Sequence, residues 1–426
     1  MDKDVLTVVM GGGKGARLYP LTAERSKPAV PFGGKYRLVD IPLSNSIAAD
    51  FKKIYVLTQF NSASLHLHIG NTYIFDSFTN GFVEILAAEQ TFTHSGWYEG
   101  TADAVRKNLV HFRTQKPKYY MILSGDQLYR MDLKDFYRRH VESGADASVA
   151  VLPVTREDAV GFGILTVDDN LRIKEFTEKP QMDRDISEMK IPEGAREELP
   201  NYKPGKDYLA SMGIYVFTAE ALERALDNEY TDFGKEIIPM MIKKMNVNAY
   251  MFDGFWEDIG TIDSFYHTSL ALAEIYPQFN LFDENMPIYT HRRDLPPGKF
   301  NSATLSQTIA ADGCIITGST ITRSIVGIRT IIDEGSELDG VVCMGADYYE
   351  EPGPIRTEEG RTIPTIGIGK NCKIRGAIID KNARIGNDCT IGWNGIPPEG
   401  DYERYFVRDG VIVVPKNAVI PDGTVI

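Results

Sequence analysis

A glycine-rich turn follows the first apolar run of the chain and is the clearest place for chemistry in the sequence. Residues 5–10 lead directly into GGGKGARLYP, whose three leading glycines occupy positions 11–13. Glycine has no side chain, so backbone N–H groups in such a turn can approach phosphate oxygens closely. Arg17 and Lys27 then add positive charges, and the arginine fork matches the geometry of phosphate oxygens. The stretch predicts a phosphorylated ligand, with a solvated basic loop as the alternative.

Three chemistries use a turn of this kind, and the surrounding residues separate them. The phosphate loop of kinases and ATPases needs GxxxxGK followed by Ser or Thr, which no window supplies. Residues 11–16 do satisfy the dinucleotide pattern GxGxxA. That pattern also needs an acidic residue at the end of the second strand, where this chain has Gln59. Pro20 and Pro28 interrupt the helix that a dinucleotide site requires. A redox cofactor is thus the lesser alternative, and nucleotidyl transfer is favoured.

The charge distribution also favours a small anionic ligand. The 426 residues carry a formal charge of −13, but residues 11–37 hold six basic residues against one acidic residue. An acidic chain argues against broad nucleic-acid binding, which depends on neutralising phosphates. The sequence shows neither a signal segment nor a run approaching the ~18 apolar residues of a membrane span. A cytoplasmic protein without nucleic-acid or membrane partners is expected.

Hydrophobic periodicity predicts two domains. Residues 1–275 are typical of an α/β domain with a largely parallel sheet, because strand-like runs alternate with helix-period stretches. The clearest of these lie at 53–58, 102–112, 119–124, 133–142 and 147–154. Residues 181–206 are polar and proline-rich, and predict a surface insertion. Residues 276–304 contain four prolines and no clear period, so they predict a linker before a domain at 305–426.

In the last domain, aliphatic residues recur every six positions. The series are Ile309, Ile315 and Ile321; Val326, Ile332 and Leu338; Ile368 and Ile374; Ile379, Ile385 and Ile391; and Val407, Val413, Val419 and Val425. A sustained period of six is typical of a β-helix, in which each coil stacks its aliphatic side chains on the next. Antiparallel strands are the alternative for any one series, and the repetition favours the β-helix.

Long motifs span the whole chain. They are GGGKGARLYPLT, RSKPAVPFGGKYRLVDIPLSN, VLTQFNSASL, WYEGTADAVR, ILSGDQLYRMD, FTEKP, SMGIYVF, TDFGKEIIP, FWEDIGT and IIDKNARIG. Together they resemble the sugar-phosphate nucleotidyltransferases, and within them the glucose-1-phosphate adenylyltransferases, or ADP-glucose pyrophosphorylases. The resemblance implies a Rossmann-like nucleotidyltransferase domain followed by a left-handed parallel β-helix, assembled as a homotetramer. It also implies transfer of AMP from ATP to glucose 1-phosphate with Mg²⁺, giving ADP-glucose and pyrophosphate for glycogen or starch synthesis.

The resemblance assigns roles to particular residues. Arg17, Lys27 and Asp126 would be catalytic, with the two bases contacting the triphosphate and the departing pyrophosphate. Asp126 and Asp258, each just past a predicted strand, would hold the metal, since Mg²⁺ prefers carboxylate and phosphate oxygens. A turn or helix cap is the alternative role for either aspartate. The residues implied for the nucleotide are Gly11, Gly12, Gly13, Gln90, Gly100 and Thr101. The residues implied for glucose 1-phosphate are Tyr98, Gly163, Glu178, Lys179 and Ser211.

Two structural expectations accompany these assignments. Gly100 and Thr101 begin a predicted helix, whose first amides are expected to suit an anion. For Glu178 and Lys179, a cross-strand ion pair is the alternative to sugar-phosphate binding.

Regulation by a phosphorylated metabolite is a further implication. Lys381 and Lys416 match lysines that bind 3-phosphoglycerate in photosynthetic members. Lys35 matches a lysine in members that respond to fructose 1,6-bisphosphate. Simple solubility is the alternative role for each of these lysines.

Other interpretations compete with this one. The same chemistry could serve another nucleotide or sugar phosphate, or the chain could be a weakly catalytic regulatory subunit. A β-helix acyltransferase is disfavoured, because such enzymes place a histidine within the coils and the last histidine here is His291. The chain also departs from the family pattern at Ala16, Gln127 and Gly161, and Gln127 lies next to the first metal candidate.

Overall fold

The amino-terminal part of the chain folds as a central sheet between layers of helices. The computed structural model describes residues 4–13, 15–76, 78–88, 96–351, 357–358 and 361–426. The strands of this part are β1 (Val5–Met10), β2 (Pro31–Phe32), β3 (Tyr36–Arg37), β4 (Lys53–Thr58), β5 (Phe82–Ala87), β6 (Tyr119–Ser124), β7 (Gln127–Tyr129), β8 (Ala147–Val154), β9 (Gly163–Val167), β10 (Ile173–Glu178), β11 (Tyr208–Thr218), β12 (Val247–Met251) and β13 (Trp256–Asp258). The helices are α1 (Asp40–Ala48), α2 (Ala63–Thr72), α3 (Thr101–Thr114), α4 (Leu133–Ser143), α5 (Glu193–Arg196), α6 (Ala219–Ala225), α7 (Ile238–Lys244) and α8 (Ile262–Ala271).

The main sheet is mixed. Its order is β10-β9-β11-β6-β1-β4-β5, and β8 pairs with both β11 and β12. Strands β6, β1, β4 and β5 are parallel, whereas β11 runs antiparallel to β6, β8 and β9. The prediction of a largely parallel sheet is therefore confirmed for the centre and wrong for the part built from β9, β10 and β11.

The centre of the sheet is buried on both faces and sets the position of the site. In β1, Val5 and Val9 pack into one buried cluster and Leu6 and Val8 into the cluster on the opposite face. In the parallel pairing of β1 with β6, the last residues of the two strands are level with each other. The glycine turn after β1 and Asp126 after β6 thus leave the sheet at the same edge.

The second part of the chain forms a parallel β-helix. Its strands are β14 (Lys299–Asn301), β15 (Thr304–Ala310), β16 (Ile315–Thr317), β17 (Thr320–Val326), β18 (Ile331–Ile332), β19 (Glu337–Cys343), β20 (Thr357–Glu358), β21 (Arg361–Thr362), β22 (Gly367–Ile368), β23 (Lys373–Ile379), β24 (Arg384–Ile385), β25 (Thr390–Ile391), β26 (Gly400–Asp401), β27 (Phe406–Arg408), β28 (Val411–Val414) and β29 (Val419–Ile420). Successive coils place Leu305, Ile321, Leu338, Ile374 and Ile391 level with one another, so the aliphatic side chains stack along the axis.

The predicted six-residue series hold in the middle coils and fail at both ends. The series from Val326 to Ile391 line the interior. Ile309 and Val413 instead pack outward into the core that the β-helix shares with the α/β domain, and Val425 is exposed. Strands β27 and β28 form an antiparallel hairpin that interrupts the coil. As a result, the interior positions beyond the hairpin shift by one residue, to Val414 and Ile420.

The β-helix begins inside the segment predicted to be a linker. Strand β14 begins at Lys299 and pairs in parallel with β16. Residues 272–298 contain no helix or strand, yet they are held to the α/β domain, since the Tyr289 N–H donates to Ser44 Oγ at 2.8 Å. The predicted insertion at 181–206 contains α5 and the short 3₁₀ turn Ser187–Met189. Among the described residues, no helix is long and apolar enough to cross a membrane.

A buried ion pair joins the two parts of the chain. Arg25 Nη1 lies 2.8 Å from Asp380 Oδ1, and the two side chains are only 4% and 2% exposed. Nearby, the Tyr266 hydroxyl donates to the Gly340 carbonyl at 2.6 Å. Outward-facing residues of the β-helix, including Ile378, belong to the same buried cluster as β1. The two domains therefore share one core.

Replacing Arg25 with methionine is expected to lower the free energy of unfolding by about 3–5 kcal/mol, because the Asp380 carboxylate would remain buried without its partner. Urea unfolding followed by circular dichroism measures the change. The matched control is Arg113→Met, whose ion pair with Glu223 is largely exposed and which should cost less than about 1 kcal/mol. Equal losses from the two substitutions would contradict the importance of the buried pair.

Candidate active site

Two aspartates and one lysine meet at the carboxyl edge of the central sheet. Asp126 lies between β6 and β7, and Asp258 ends β13. Strand β13 pairs with β7 so that Asp258 is level with Gln127, which brings the two carboxylates together. The Lys27 ammonium lies between them, with Nζ 2.7 Å from Asp126 Oδ2 and 3.4 Å from Asp258 Oδ1. The structure thus brings together three residues that are up to 231 positions apart in sequence.

Local backbone structure fixes the position of Lys27. The residue begins a 3₁₀ turn, Lys27–Ala29, whose second position is a proline. Gly15 adopts a left-handed φ of 61°, and a Cβ at Gly15 would lie 3.1 Å from Lys27 Cβ and 3.0 Å from Thr22 Cγ2. Glycine at position 15 therefore lets the preceding loop close over the lysine stem, and the Lys27 side chain is only 10% exposed.

The three charges perturb one another. Burial alone would lower the pKa of Lys27, but the negative charges of Asp126 and Asp258 outweigh burial and raise it above its ordinary value. Asp126 is also buried, yet the Lys27 ammonium holds the pKa of this carboxyl below its usual range. Burial and the Asp126 charge raise the pKa of Asp258 despite the attraction of Lys27 and Arg17. The two carboxylates share one ammonium, and Asp258 is the less fully compensated.

Arg17 approaches this group from the glycine-rich loop. It lies in the 3₁₀ turn Ala16–Leu18 and its side chain is exposed. A Cβ at Gly260 would lie 3.2 Å from Arg17 Nη2 and 3.3 Å from Asp258 Oδ2, so a residue without a side chain leaves space for the guanidinium beside the carboxylate. Arg17, Lys27, Asp126 and Asp258 thus form one charged cluster, which we call the acid–base cluster.

The glycine turn is partly tied to the sheet and partly open. The Gly11 N–H donates to the Leu57 carbonyl at 2.8 Å, and a Cβ at Gly11 would lie 2.9 Å from that oxygen. Gly12 lies against the Gln59 side chain, whereas no atom of the described residues lies within 4 Å of a Cβ at Gly13. The turn can therefore present backbone to a ligand at its outer end. The predicted nucleotide contact Gln90 lies outside the described residues.

Two of the first amides of α3, which were expected to suit an anion, are engaged within the protein. The N–H groups of Ala102 and Asp103 both donate to the Thr231 carbonyl, at 2.8 and 3.2 Å. A Cβ at Gly100 would overlap that same carbonyl, so glycine allows the close approach. Thr101 Oγ1 accepts from the Phe233 N–H at 3.0 Å, and the residue lines the cleft described next. The beginning of α3 therefore forms part of the wall of the cleft, with the amides of Ala102 and Asp103 already engaged.

A cleft lies beside the acid–base cluster and contains most of the residues predicted for the sugar phosphate. Those that line it are Gly163, Glu178, Lys179 and Ser211, together with Thr101 and Asp258. Burial raises the pKa of Glu178 in spite of Lys179, whose ammonium is 4.0 Å from Glu178 Oε1. Lys179 has a left-handed φ of 45°, an unfavourable conformation for a residue with a side chain. Glu178 and Lys179 thus lie together at the rim of the cleft, and their contact joins neighbours in sequence instead of forming the cross-strand ion pair that was the alternative.

Tyr98 does not join this group. Its hydroxyl accepts from Asn108 Nδ2 on α3 at 2.9 Å, and the ring is buried in the core on one face of the sheet. The Tyr98 N–H is bound by Gln59 Oε1 at 2.8 Å. The aromatic side chain is therefore used to pack α3 against the sheet, and the geometry gives no support for the predicted sugar contact.

The cleft also contains residues that the sequence prediction did not select. Asp232 and Gly234 lie on the wall facing Glu178, and Asp232 adds to the rise in the pKa of that carboxyl. Their motif, TDFGKEIIP, had supported the family resemblance without a role being given to its residues. Gln127 is buried, donating to the Met212 carbonyl at 2.8 Å and accepting from Trp256 Nε1 at 3.1 Å. It holds β7 and β13 to the cleft wall.

A second cavity lies between the two domains. It is lined by Arg37, Leu67, His68, Asn71, His291, Arg293, Arg329, Asp347 and Lys381, and we call it the basic pocket. Lys381 is 9% exposed and its ammonium lies 2.6 Å from Asp347 Oδ1. Burial lowers the pKa of Lys381 to about 8, although Asp347 counteracts part of the effect. A role in simple solubility is therefore excluded for Lys381 by its burial.

The other two predicted regulatory lysines lie near the domain boundary without lining the basic pocket. Lys416 Nζ lies 3.7 Å from Asp347 Oδ2, so it adjoins the basic pocket through that carboxylate. Lys35 Nζ lies 3.6 Å from Asp312 Oδ2, and both side chains are exposed. The structure thus groups Lys381 with Lys416 and leaves Lys35 apart.

Comparison with protein families assigns both parts of the chain. A family model described as nucleotidyl transferase matches residues 6–275. A second, described as a GLGC left-handed parallel beta-helix domain, matches residues 293–425. The first match contains the acid–base cluster and the adjoining cleft. The second contains the coils and the three residues that the β-helix contributes to the basic pocket, and it gives the hand of the helix as left.

Substitution of Gly15 by alanine is expected to lower the free energy of unfolding by about 1–2 kcal/mol, because alanine would have to adopt a left-handed conformation. Its Cβ would in addition press on the stem of Lys27. Gly13→Ala is the matched control, since no part of the chain that the structure describes lies within 4 Å of a Cβ there. Thermal and urea unfolding of both variants provide the test, and a Gly13→Ala variant as unstable as Gly15→Ala would refute the explanation.

Proposed function

Because the chain belongs to the nucleotidyl transferase family, we propose that it has glucose-1-phosphate adenylyltransferase activity. The observation that carries the proposal is the placement of Lys27 between Asp126 and Asp258, beside a cleft that contains Glu178 and Lys179. Nucleotidyl transfer brings two polyanions together, and this site combines fixed cations with paired carboxylates. The motifs PAVPFGGKYRLVDIPLSN and FWEDIGT support the adenylyl type.

In the proposed reaction, a phosphate oxygen of glucose 1-phosphate attacks the α-phosphorus of ATP. A new P–O bond forms there as the bond from the α-phosphorus to the bridging oxygen of the β-phosphate breaks, and pyrophosphate leaves. The nucleophile is already an anion, so no general base is required. The protein has to align the reactants and neutralise their mutual repulsion. Arg17 and Lys27 would do so at the triphosphate and the departing pyrophosphate.

The acid–base cluster fits Mg²⁺. Asp126 and Asp258 already direct carboxylate oxygens at a single cation, the Lys27 ammonium, and Mg²⁺ is commonly held by one or two carboxylates and the phosphates of its substrate. Among the described residues, no group of three or more Asp, Glu, His or Cys side chains forms a metal site of its own, so a site completed by substrate phosphates is the consistent choice. When bound, Mg²⁺ would neutralise charge on the reacting phosphates.

The cleft would hold glucose 1-phosphate. Lys179 is half exposed at the rim, where it could bind the sugar phosphate. Glu178 and Ser211 supply oxygen atoms suited to sugar hydroxyls. Gly163 lines the same cleft beside Glu178, where a Cβ would lie 3.0 Å from Glu178 Oε2, and it is a further proposed contact of the sugar phosphate. On the nucleotide side, Gly11, Gly12, Gly13, Gly100 and Thr101 remain the proposed contacts, together with Gln90.

The basic pocket would bind an anionic effector such as 3-phosphoglycerate or fructose 1,6-bisphosphate. Arg37, Arg293, Arg329 and Lys381 offer four cations against the single carboxylate of Asp347. His68 Nδ1, also on this wall, has no hydrogen-bond partner among the described residues. Residues 1–275 would then form the catalytic domain, 276–304 the connection, and 305–426 a domain for regulation and for assembly into a homotetramer. A cytoplasmic role in glycogen or starch synthesis is part of the same proposal.

A nucleotide panel tests the proposed activity. Pyrophosphate release from ATP, UTP, dTTP, GTP and CTP is measured with glucose 1-phosphate and Mg²⁺, with and without the two effectors. We expect strong preference for ATP. Preference for UTP or dTTP would overturn the adenylyl assignment. Absence of pyrophosphate with every nucleotide would instead favour a regulatory subunit with little catalysis.

Asp126→Asn is expected to reduce kcat by about 100-fold or more while the protein remains folded, because it removes a carboxylate proposed to hold the metal that neutralises charge on the reacting phosphates. Lys179→Ala is the contrasting variant and should mainly raise the KM for glucose 1-phosphate, by about tenfold. Steady-state kinetics measure both effects, and circular dichroism checks the folding. Near-normal turnover of Asp126→Asn would reject its assignment as a metal ligand.

Effector affinity at the basic pocket is expected to fall as the pH rises through about 8, where Lys381 loses its proton. Phosphate groups are already dianionic in this range, and burial together with neighbouring cations keeps the pKa of His291 below its usual value. Calorimetry at pH 7, 8 and 9 with 3-phosphoglycerate and fructose 1,6-bisphosphate measures the change.

Two variants give the control for this pH dependence. Lys381→Met should weaken binding and remove the step near pH 8. Lys370→Met alters a lysine paired with Glu334 in an exposed position of the same β-helix. It should leave the effector affinity and the step near pH 8 unchanged. A pH profile unaffected by Lys381→Met would contradict the assignment.

A further inference from the structure

The contacts of Lys27 are those of a bound cation. Its ammonium lies between two carboxylates from separate elements, the turn between β6 and β7 and the end of β13, at 2.7 and 3.4 Å. Asp126 and Asp258 are themselves only 25% and 30% exposed. Two partly buried carboxylates this close repel one another unless a positive charge lies between them. Lys27 supplies that charge in the substrate-free protein.

The surrounding packing holds Lys27 in this position. The backbone of Lys27 is fixed by the turn that contains Pro28, and the stem is covered by Gly15 and Thr22. The lysine therefore reaches the carboxylates from a rigid base, and only the end of the side chain is free to move. A small rotation of its outer bonds would take the ammonium from the carboxylates to another anion close by.

The charges of the acid–base cluster balance one another without a metal. Asp126 and Asp258 contribute two negative charges, and Lys27 and Arg17 contribute two positive charges. A bare divalent cation would have to displace the Lys27 ammonium, breaking both ion pairs and bringing like charges together. A metal bound to a polyphosphate differs, because its phosphate oxygens offer Lys27 a new partner at the moment the carboxylates are given up.

We propose that Lys27 is a stand-in for the metal: it occupies the carboxylate pair in the substrate-free protein, excludes bare divalent cations, and yields only to a metal–nucleotide complex. The inference rests on the proposed metal site and extends it, because it assigns the lysine a role before the reaction begins. Metal and nucleotide would then enter together. Free metal would not collect between the carboxylates while the site awaits a nucleotide.

Binding of Mn²⁺ to the nucleotide-free protein tests the proposal. Electron paramagnetic resonance of free Mn²⁺ measures its affinity for the wild type, Lys27→Met and Lys179→Met. We expect Lys27→Met to bind Mn²⁺ at least about tenfold more tightly than the wild type, because a competing cation is removed. Lys179→Met, a lysine of the same cleft that contacts neither Asp126 nor Asp258, should equal the wild type. Equal or weaker binding by Lys27→Met would overturn the proposal.

A second measurement covers the case in which Lys27→Met folds poorly. Mn²⁺ should raise the melting temperature of Lys27→Met more than that of the wild type, since it replaces the missing positive charge. Adding Asp126→Asn to Lys27→Met should abolish this gain. Stabilisation of the wild type and Lys27→Met by the same number of degrees would overturn the stand-in role.

The outcome is separable from that of the proposed function. If the nucleotide panel gives no pyrophosphate but Lys27→Met gains affinity for Mn²⁺, the activity is wrong and the stand-in role holds. If ATP is used normally but the wild type binds bare Mn²⁺ as tightly as Lys27→Met, the stand-in role alone is wrong.

Discussion

The structure depends on the pairing of buried charges at the edge of the central sheet, where the strands lead into loops. A lysine that is nine-tenths buried is tolerated only if it is paired, and two neighbouring carboxylates are tolerated only with a cation between them. Lys27, Asp126 and Asp258 satisfy these requirements jointly. Each comes from a different element, so the glycine loop, β7 and β13 have to converge. The charged site therefore also helps to fix the loops around it.

Much of this site could be predicted from the sequence, because its residues lie in long motifs that resemble a known family. Asp126 and Asp258 were assigned to one metal in this way, and in the structure the pairing of β13 with β7 brings them together. That Lys27 lies between them was not predictable in the same way. It depends on the left-handed turn at Gly15 and on a loop whose path is set by tertiary contacts.

The departures from expectation have equally specific causes. Tyr98 lies in a motif that suggested a sugar contact, yet its hydroxyl accepts from Asn108 in the core, a packing that the motif does not reveal. The amides at the start of α3 were expected to suit an anion, but those of Ala102 and Asp103 donate to the Thr231 carbonyl, a contact from a distant segment that local sequence does not reveal. Val413 keeps the six-residue period but faces outward, because the β27–β28 hairpin shifts the coil by one position. In each case a long-range contact overrides a local pattern.

The ion pair between Arg25 and Asp380 has a mechanical consequence. Only Ser26 separates Arg25 from Lys27, and two residues of extended chain span about 7 Å at most. One end of this short tether is anchored in the β-helix, beside Lys381, and the other lies among the acidic side chains of the sheet. This short connection has almost no slack, so it cannot absorb a sliding or tilting of the coils by even a fraction of that length. The position of the Lys27 side chain thus depends on the β-helix, although the β-helix contributes no atom to the acid–base cluster.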